Sequence, residues 1–181
     1  MTRLTGDALR EIAGKVFGER STTLIEASAD YEMDDLTSAV RAMRRMMRSS
    51  LTSLPETAFD AQPAAEGEDA WSAGQIVAHI ANSQASMSGA VRSLFGMPEA
   101  VAVDRYDLDD SATLPTRDEA LDILAKADTG FDAFVSDVPA NTDLTKAMPH
   151  ERFGEMNGKS WMLLMAIHEA DHLRQVQTLA G

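Results

Sequence analysis

Apolar residues recur every three or four positions through four long segments of the chain, which is the spacing of one face of an α-helix. The segments run from about 33 to 54, 72 to 95, 116 to 138 and 159 to 179. No segment shows a sustained alternation of apolar and polar residues, so a large sheet is not expected. The pattern therefore predicts an all-α protein built as a four-helix bundle.

Helix start signals support two of these assignments. Ser72 with Gln75, and Thr116 with Glu119, have the spacing of a capping box, in which each side chain satisfies a backbone N–H of the other residue. Pro139 then ends the third helix, because proline cannot continue the hydrogen-bond ladder. The second and third helices are therefore predicted with defined starts.

The connections between the four helices are long for a simple up-and-down bundle. They cover about 54–71, 96–116 and 139–158, which permits crossover topologies and supplies chain to wall a site. Residues 1–30 contain two shorter and weaker helical patterns. We interpret them as an N-terminal extension packed on a bundle domain of residues 31–181.

The last connection contains a tight-turn signal. Asn157-Gly158 is a dipeptide typical of two-residue hairpin turns, so a small hairpin is predicted within about 152–159.

Charge and composition narrow the class of protein. The chain has 181 residues, a formal net charge of −13 and no cysteine. The acidity argues against nucleic acid or an anionic membrane as a partner, because phosphates would be repelled. The start of the chain lacks the apolar stretch of a secretory signal, so a cytoplasmic protein is expected. Without cysteine, any transition-metal site must use histidine and carboxylate.

Two clusters on the first long helix receive structural interpretations. One is a basic patch that lies largely off the apolar stripe, interpreted as a solvated flank, with contact to an anionic ligand as the alternative. Its members are Arg41, Arg44, Arg45 and Arg48. The other is a methionine group interpreted as core packing rather than a soft metal site. Its members are Met43, Met46 and Met47.

Three of the four histidines form the strongest candidate for chemistry. His168 and His172 are four positions apart on the fourth helix, so both project from the same face and could grip one ion. His79 lies on or beside the inward stripe of the second helix and is the candidate third ligand. Three histidines on two helices would leave ion positions open, which is the layout of a catalytic metal site. The alternative is a chance H-x-x-x-H pair.

The neighbours of these histidines have open interpretations. The pattern H-E-x-x-H also matches a metalloprotease motif, but no third ligand follows it, so a peptidase is not favoured and Glu169 is interpreted as a solvated charge. Three roles are open for Asp171. It could accept a hydrogen bond from an imidazole N–H, bind the ion directly, or be an exposed acid. His150 is interpreted as a surface loop residue, with a role in a substrate loop as the alternative.

Two segments of the chain resemble a known family. Residues 71–79, WSAGQIVAH, are similar to the start of the second helix in the DinB/YfiT-like superfamily. Residues 168–175, HEADHLRQ, are similar to its C-terminal signature, H-x-x-x-H-x-x-Q. Many members have a histidine where this chain has Asp171.

The resemblance implies a bundle, often a homodimer, that holds a divalent ion such as nickel or zinc at His79, His168 and His172. It also implies a thiol S-transferase, or a related isomerase or hydrolase, because relatives use bacillithiol, mycothiol or glutathione. Since the chain has no cysteine, the thiol would arrive as a co-substrate and attack an electrophilic small molecule. The alternative is a non-catalytic, stress-related or binding bundle with a structural metal.

Overall fold

The computed structural model describes residues 4–60, 71–99, 104–106 and 114–180, which form seven α-helices and one two-stranded sheet. A π-helical turn, Gly14–Gly18, continues the first helix. The helices are α1 Gly6–Ala13, α2 Leu24–Ser28, α3 Met33–Ser53, α4 Thr57–Asp60, α5 Ala73–Phe95, α6 Arg117–Asp137 and α7 Gly158–Thr178. The strands are β1 Ala147–His150 and β2 Gly154–Asn157. The predicted all-α architecture is confirmed, with the short hairpin as its only sheet in the described residues.

Helices α3, α5, α6 and α7 form the bundle. Helices α3 and α5 each pack against both α6 and α7, so the order around the bundle is α3, α7, α5, α6. Glu32, at the start of α3, pairs with Lys159, at the start of α7, and Arg44 pairs with Glu169 further along both helices. Helices α3 and α7 are therefore neighbours that run in the same direction.

Helices α5 and α6 are also parallel neighbours. A Cβ atom on Gly74, at the start of α5, would lie 2.8 Å from the carbonyl oxygen of Pro115, just before α6. Arg92 and Asp137 form an ion pair near the other ends of these helices. A parallel pair needs a connection that returns along the bundle, which explains the long segment between α5 and α6.

The helix starts follow the sequence signals. The Ser72 hydroxyl accepts from the Gln75 backbone N–H, and the Thr116 hydroxyl accepts from that of Glu119, so both capping boxes are confirmed. Gly96 ends α5 with a left-handed φ of 66°.

The hairpin is present, but its turn was placed wrongly. Asn157 does not form the turn, because its side chain accepts from the Ser160 backbone N–H and caps α7. The turn lies at residues 151–153 and is followed by Gly154, whose φ is 73°. Asn-Gly suits both roles, and the start of α7 determined which one it takes.

The interface between α3 and α7 contains a buried ion pair. Arg44 is 2% exposed and Glu169 is 1% exposed. The Arg44 Nε and Nη2 atoms donate to Glu169 Oε1 over 2.9 and 2.6 Å. Burial raises the pKa of the Glu169 carboxyl, and the Arg44 guanidinium opposes that rise. The expectation that both charges are solvated is therefore wrong.

Met46, also on α3, differs from the expectation that all three methionines pack in the core. It is 48% exposed, whereas Met43 and Met47 are buried in the core as expected. The difference follows from helix geometry, because Met46 lies off the stripe that the buried apolar residues of α3 form.

The N-terminal extension lies on the bundle as expected. Helices α1 and α2 both pack against α7, and Leu9 and Leu24 are buried in the common core. Contacts with these helices, α3 and α5 leave residues 161–167 of α7 buried. No helix in the described part of the chain combines the length and apolar character that crossing a membrane requires.

Candidate metal centre

The three candidate histidines come from two helices that run in opposite directions. Gly158, at the start of α7, lies against the ring of Phe95 at the end of α5. The second turn of α5, with His79, therefore lies beside the second half of α7, with His168 and His172. The capping box at Ser72 fixes where α5 begins and so fixes the height of His79.

The three imidazoles meet through their Nε2 atoms. His79 Nε2 lies 2.9 Å from His168 Nε2, and His172 Nε2 lies 3.1 Å from the same atom. His172 is 2% exposed, whereas His79 and His168 are half-buried. The structure therefore brings together all three histidines that the sequence singled out, at a site that keeps some contact with solvent.

Hydrogen bonds orient two of the rings. His172 Nδ1 lies 2.5 Å from Gln175 Oε1, and because an amide oxygen only accepts, Nδ1 carries the proton. The Nε2 atom of His172 therefore presents a lone pair to the cluster. The Ser83 hydroxyl lies 3.3 Å from His79 Nε2.

This arrangement suits a divalent ion. Two nitrogens bound at about 2.0–2.1 Å to one ion lie roughly 2.9–3.4 Å apart when they subtend 90–109°. The distances from His168 Nε2 to the other two nitrogens, 2.9 and 3.1 Å, fall in that range, and all three ligand atoms lie within 4.8 Å of one another. Because His172 Nε2 carries no proton and His168 Nε2 can carry only one, at most one of the two contacts at His168 is a hydrogen bond, and the other brings two nitrogens together without one. A shared cation removes the repulsion at that contact.

The protonation states also suit metal binding. Burial, and then the nearby His172, lower the pKa of His79 to about 4. Burial and the neighbouring histidines lower the pKa of His168 well below its usual range. Both rings are therefore neutral at pH 7, which is the form that binds a metal.

Trp71 also belongs to the site, although no pattern in the sequence indicated it. Its ring centroid lies 4.7 Å from that of His79 and 6.2 Å, stacked, from that of His172. Its position directly before the Ser72 cap indicates only that it lies near the start of α5, and not that it contacts the histidines. Ser83 is a further residue of the site that the sequence patterns did not single out.

The fourth histidine lies elsewhere. His150 is in β1 rather than in a loop, and its Nδ1 accepts from the backbone N–H groups of Arg152 and Phe153 over 3.1 and 3.3 Å. Its ring stacks on Phe153 and meets Trp161 edge-on. His150 therefore stabilises the turn of the hairpin.

Two acidic residues near the histidines have other partners. Asp171 is exposed and pairs with Arg174 at 3.4 Å, so of the three interpretations the structure shows the exposed acid. Glu169 binds Arg44 on the other side of α7. The H-E-x-x-H pattern therefore has no carboxylate placed as the general base of a peptidase.

The low pKa of His79 predicts a pH effect on the metal-free protein. In the unfolded chain the His79 ring has the ordinary histidine pKa of 6.5, whereas in the folded chain its pKa is about 4. Folded stability therefore falls as pH drops from about 6.5 toward 4, since the unfolded state binds more protons there. Replacing His79 by glutamine removes this loss. Between about pH 7 and pH 5, stability should shift in favour of the variant by about 1 kcal/mol, allowing for screening at a half-buried ring.

Chemical unfolding of the parent and His79→Gln at both pH values, with chelator present, measures this shift. The carboxylates common to both proteins cancel in the difference. A difference that stays constant with pH would show that His79 titrates normally.

One comparison with known proteins gives a match. The model of the DinB superfamily matches residues 39–176, which is well over half of the chain and includes all three histidines. Neither the curated proteins nor the solved structures gave a match to the chain.

Proposed function

The chain belongs to the DinB superfamily, and from this membership and the geometry of its histidines we propose that it is a metal-dependent enzyme. The ion is divalent and is held by His79, His168 and His172. The reaction is the transfer of a low-molecular-weight thiol to an electrophilic small molecule, or a related isomerisation or hydrolysis.

The observation that carries this proposal is the convergence of three imidazole nitrogens, with no fourth histidine or carboxylate grouped with them in the described residues. His79, His168 and His172 are the one group of histidine or carboxylate side chains in the described part of the chain that could hold an ion. Their ligand atoms lie within 4.8 Å of one another. Catalytic sites use three protein ligands and leave a position for water or substrate, whereas structural sites are closed by four. Imidazole ligands suit nickel and zinc alike.

The surrounding residues have definable roles in such a reaction. When bound, a divalent ion supplies Lewis-acid chemistry, lowering the pKa of a thiol or water and polarising an electrophile. Gln175 holds the His172 ring through Nδ1 and keeps its Nε2 lone pair directed into the site. Trp71 lies against the rings of His79 and His172 and forms an apolar wall beside them. The Ser83 hydroxyl lies 3.3 Å from His79 Nε2, where it could hydrogen-bond a water or substrate group beside the ion.

The source of the sulfur follows from composition. The chain has no cysteine, so a thiol that reacts here comes from a second molecule. Superfamily membership favours a small cellular thiol, and hydrolysis by water is the close variant.

A screen of thiol conjugation tests the proposal. Protein loaded with nickel or zinc is mixed with glutathione, bacillithiol or mycothiol and an aryl halide or epoxide, and adducts are measured by mass spectrometry. We expect the rate to exceed that of chelator-treated protein by at least about tenfold, since a metal-activated nucleophile is lost with the metal. Restoring the metal should restore the rate.

The same screen separates the alternatives. Hydrolysis of an ester or amide without thiol consumption would select the hydrolase. Stoichiometric metal with no turnover of any tested pair would contradict the enzyme and favour a binding bundle with a structural ion.

A further inference from the structure

The N-terminal extension, which lies outside the matched residues 39–176, forms one side of a cleft that ends at the histidine cluster. The cleft has a volume of about 420 Å³, within the roughly 300–1,000 Å³ of small-molecule sites. Its opposite side is the hairpin turn, with Arg152 and Phe153. The cleft therefore joins three separate parts of the fold.

The floor of the cleft is one face of α7. Leu164, Ile167 and His168 lie three and four positions apart and so share that face. Since His168 Nε2 also meets the other two histidines, a molecule in the cleft touches a residue of the candidate metal centre.

Two phenylalanines form an apolar pair at the cleft. The π-helical turn after α1 places Phe17 against Phe153, with ring centroids 5.6 Å apart. Phe17 is nevertheless 39% exposed, which makes it one of the large apolar side chains left in contact with water in the described residues. Single π-helical turns occur often at functional sites, where they redirect a side chain. An apolar ligand would cover this exposed ring.

The charges around the cleft favour an anion. Arg10 is paired with Asp7, and Asp171 is paired with Arg174. Arg152 has no carboxylate within ion-pair distance in the described part of the chain, and its guanidinium lies 5.4 Å from the Phe153 ring centroid. In a chain of net charge −13, this is a positive charge without a local partner. A guanidinium beside an apolar surface matches a carboxylate on an apolar body.

We propose that this cleft binds small carboxylates with an aromatic or branched apolar body. The apolar part packs on Leu164 and Ile167 and against Phe17, and the carboxylate pairs with Arg152. That the bound molecule is a substrate of the histidine centre rests on the proposed function, whereas the binding itself does not.

Binding of 3-phenylpropionate to the metal-free full-length protein tests the proposal by calorimetry or NMR titration. We expect Arg152→Gln to weaken binding about tenfold and Arg152→Lys to retain part of the affinity. Phe17→Ala should weaken binding by a similar factor. Arg45→Gln, which removes an exposed arginine from α3, is the matched control and should leave the affinity unchanged.

A neutral ligand separates charge from apolar contact. 3-Phenylpropan-1-ol should bind the parent more weakly than the acid does, and Arg152→Gln should not change its affinity. Equal affinity of the acid for the parent and Arg152→Gln would overturn the proposal, and so would no binding by the parent.

The binding and turnover measurements together distinguish the cleft from the enzyme assignment. If the protein binds the carboxylate but shows no activity in the thiol and hydrolysis screens, the proposed binding cleft is supported and the proposed enzyme function is contradicted. If the protein shows metal-dependent turnover but does not bind 3-phenylpropionate, the enzyme function is supported and the proposed binding cleft is contradicted.

Discussion

Truncation of Glu169 to alanine is expected to lower the free energy of unfolding by about 3–5 kcal/mol, because it leaves the Arg44 charge buried without its partner. Arg44 is 2% exposed and lies in the interface between α3 and α7, so water cannot replace the lost carboxylate. Asp128 touches Arg44 at 3.4 Å but also binds Arg48 at 2.7 Å, and it compensates Arg44 only in part. The loss should therefore be near the upper end of what single substitutions cause.

Denaturant unfolding of the parent and Glu169→Ala measures the effect. Asp171→Ala is the matched control, since Asp171 is an exposed acid two residues further along α7, and its loss should change stability by less than about 0.5 kcal/mol. A Glu169→Ala variant as stable as the control would show that the Arg44 charge is not confined to this interface.

A double variant gives the reason for the loss. Arg44→Met with Glu169→Leu removes both charges and keeps apolar volume, so it should recover most of the stability lost in Glu169→Ala. If the double variant is as unstable as the single one, the loss arises from packing and not from the unpaired charge.

The ion pair shows what the pattern of one helix cannot reveal. The apolar stripe of α3 predicted which positions face the core, and Leu36, Val40, Met43, Met47 and Leu51 are buried as that stripe requires. Arg44 is buried as well because Glu169, 125 positions away, supplies a counter-charge on α7. Periodicity identifies an apolar face but not the charge that a neighbouring helix presents to it.

Helix starts were predictable because their signals are local. The Ser72 and Thr116 capping boxes involve residues three positions apart, and both form as the sequence indicates. Asn157 was misassigned because the same side chain serves a turn or a cap. Its role depends on the helix that follows, whose burial is set by contacts with the rest of the bundle.

The candidate site also contains residues that one segment predicts and residues that only the packing of the helices brings in. The His168 and His172 pair follows from spacing on one helix, and His79 from its place near the inward face of another. Trp71 joins the site only because α5 and α7 are antiparallel, and the cleft at His168 exists only because the extension folds against α7. Neither relation is a property of a single segment.

The second large effect concerns metal binding. Because His168 Nε2 is the atom that both other histidines approach, His168→Ala should weaken binding of nickel or zinc by more than about 100-fold. Loss of an outer partner of a ligand typically costs 10–100-fold, so Gln175→Ala, which frees the His172 ring, should fall within that range. His150→Ala, the matched control at the hairpin, should bind metal as the parent does.

Elemental analysis of protein purified without a histidine tag, followed by competition with a chromophoric chelator, ranks the four proteins. Metal should also stabilise the parent against unfolding and leave His168→Ala unchanged, since an ion stabilises only the fold that binds it. This order, with His150→Ala equal to the parent, Gln175→Ala intermediate and His168→Ala weakest, distinguishes a defined centre from scattered surface binding. Equal metal content in the parent and His168→Ala would show that the ion binds elsewhere. Without His168 Nε2, the His79 and His172 rings lose the nitrogen that both of them contact.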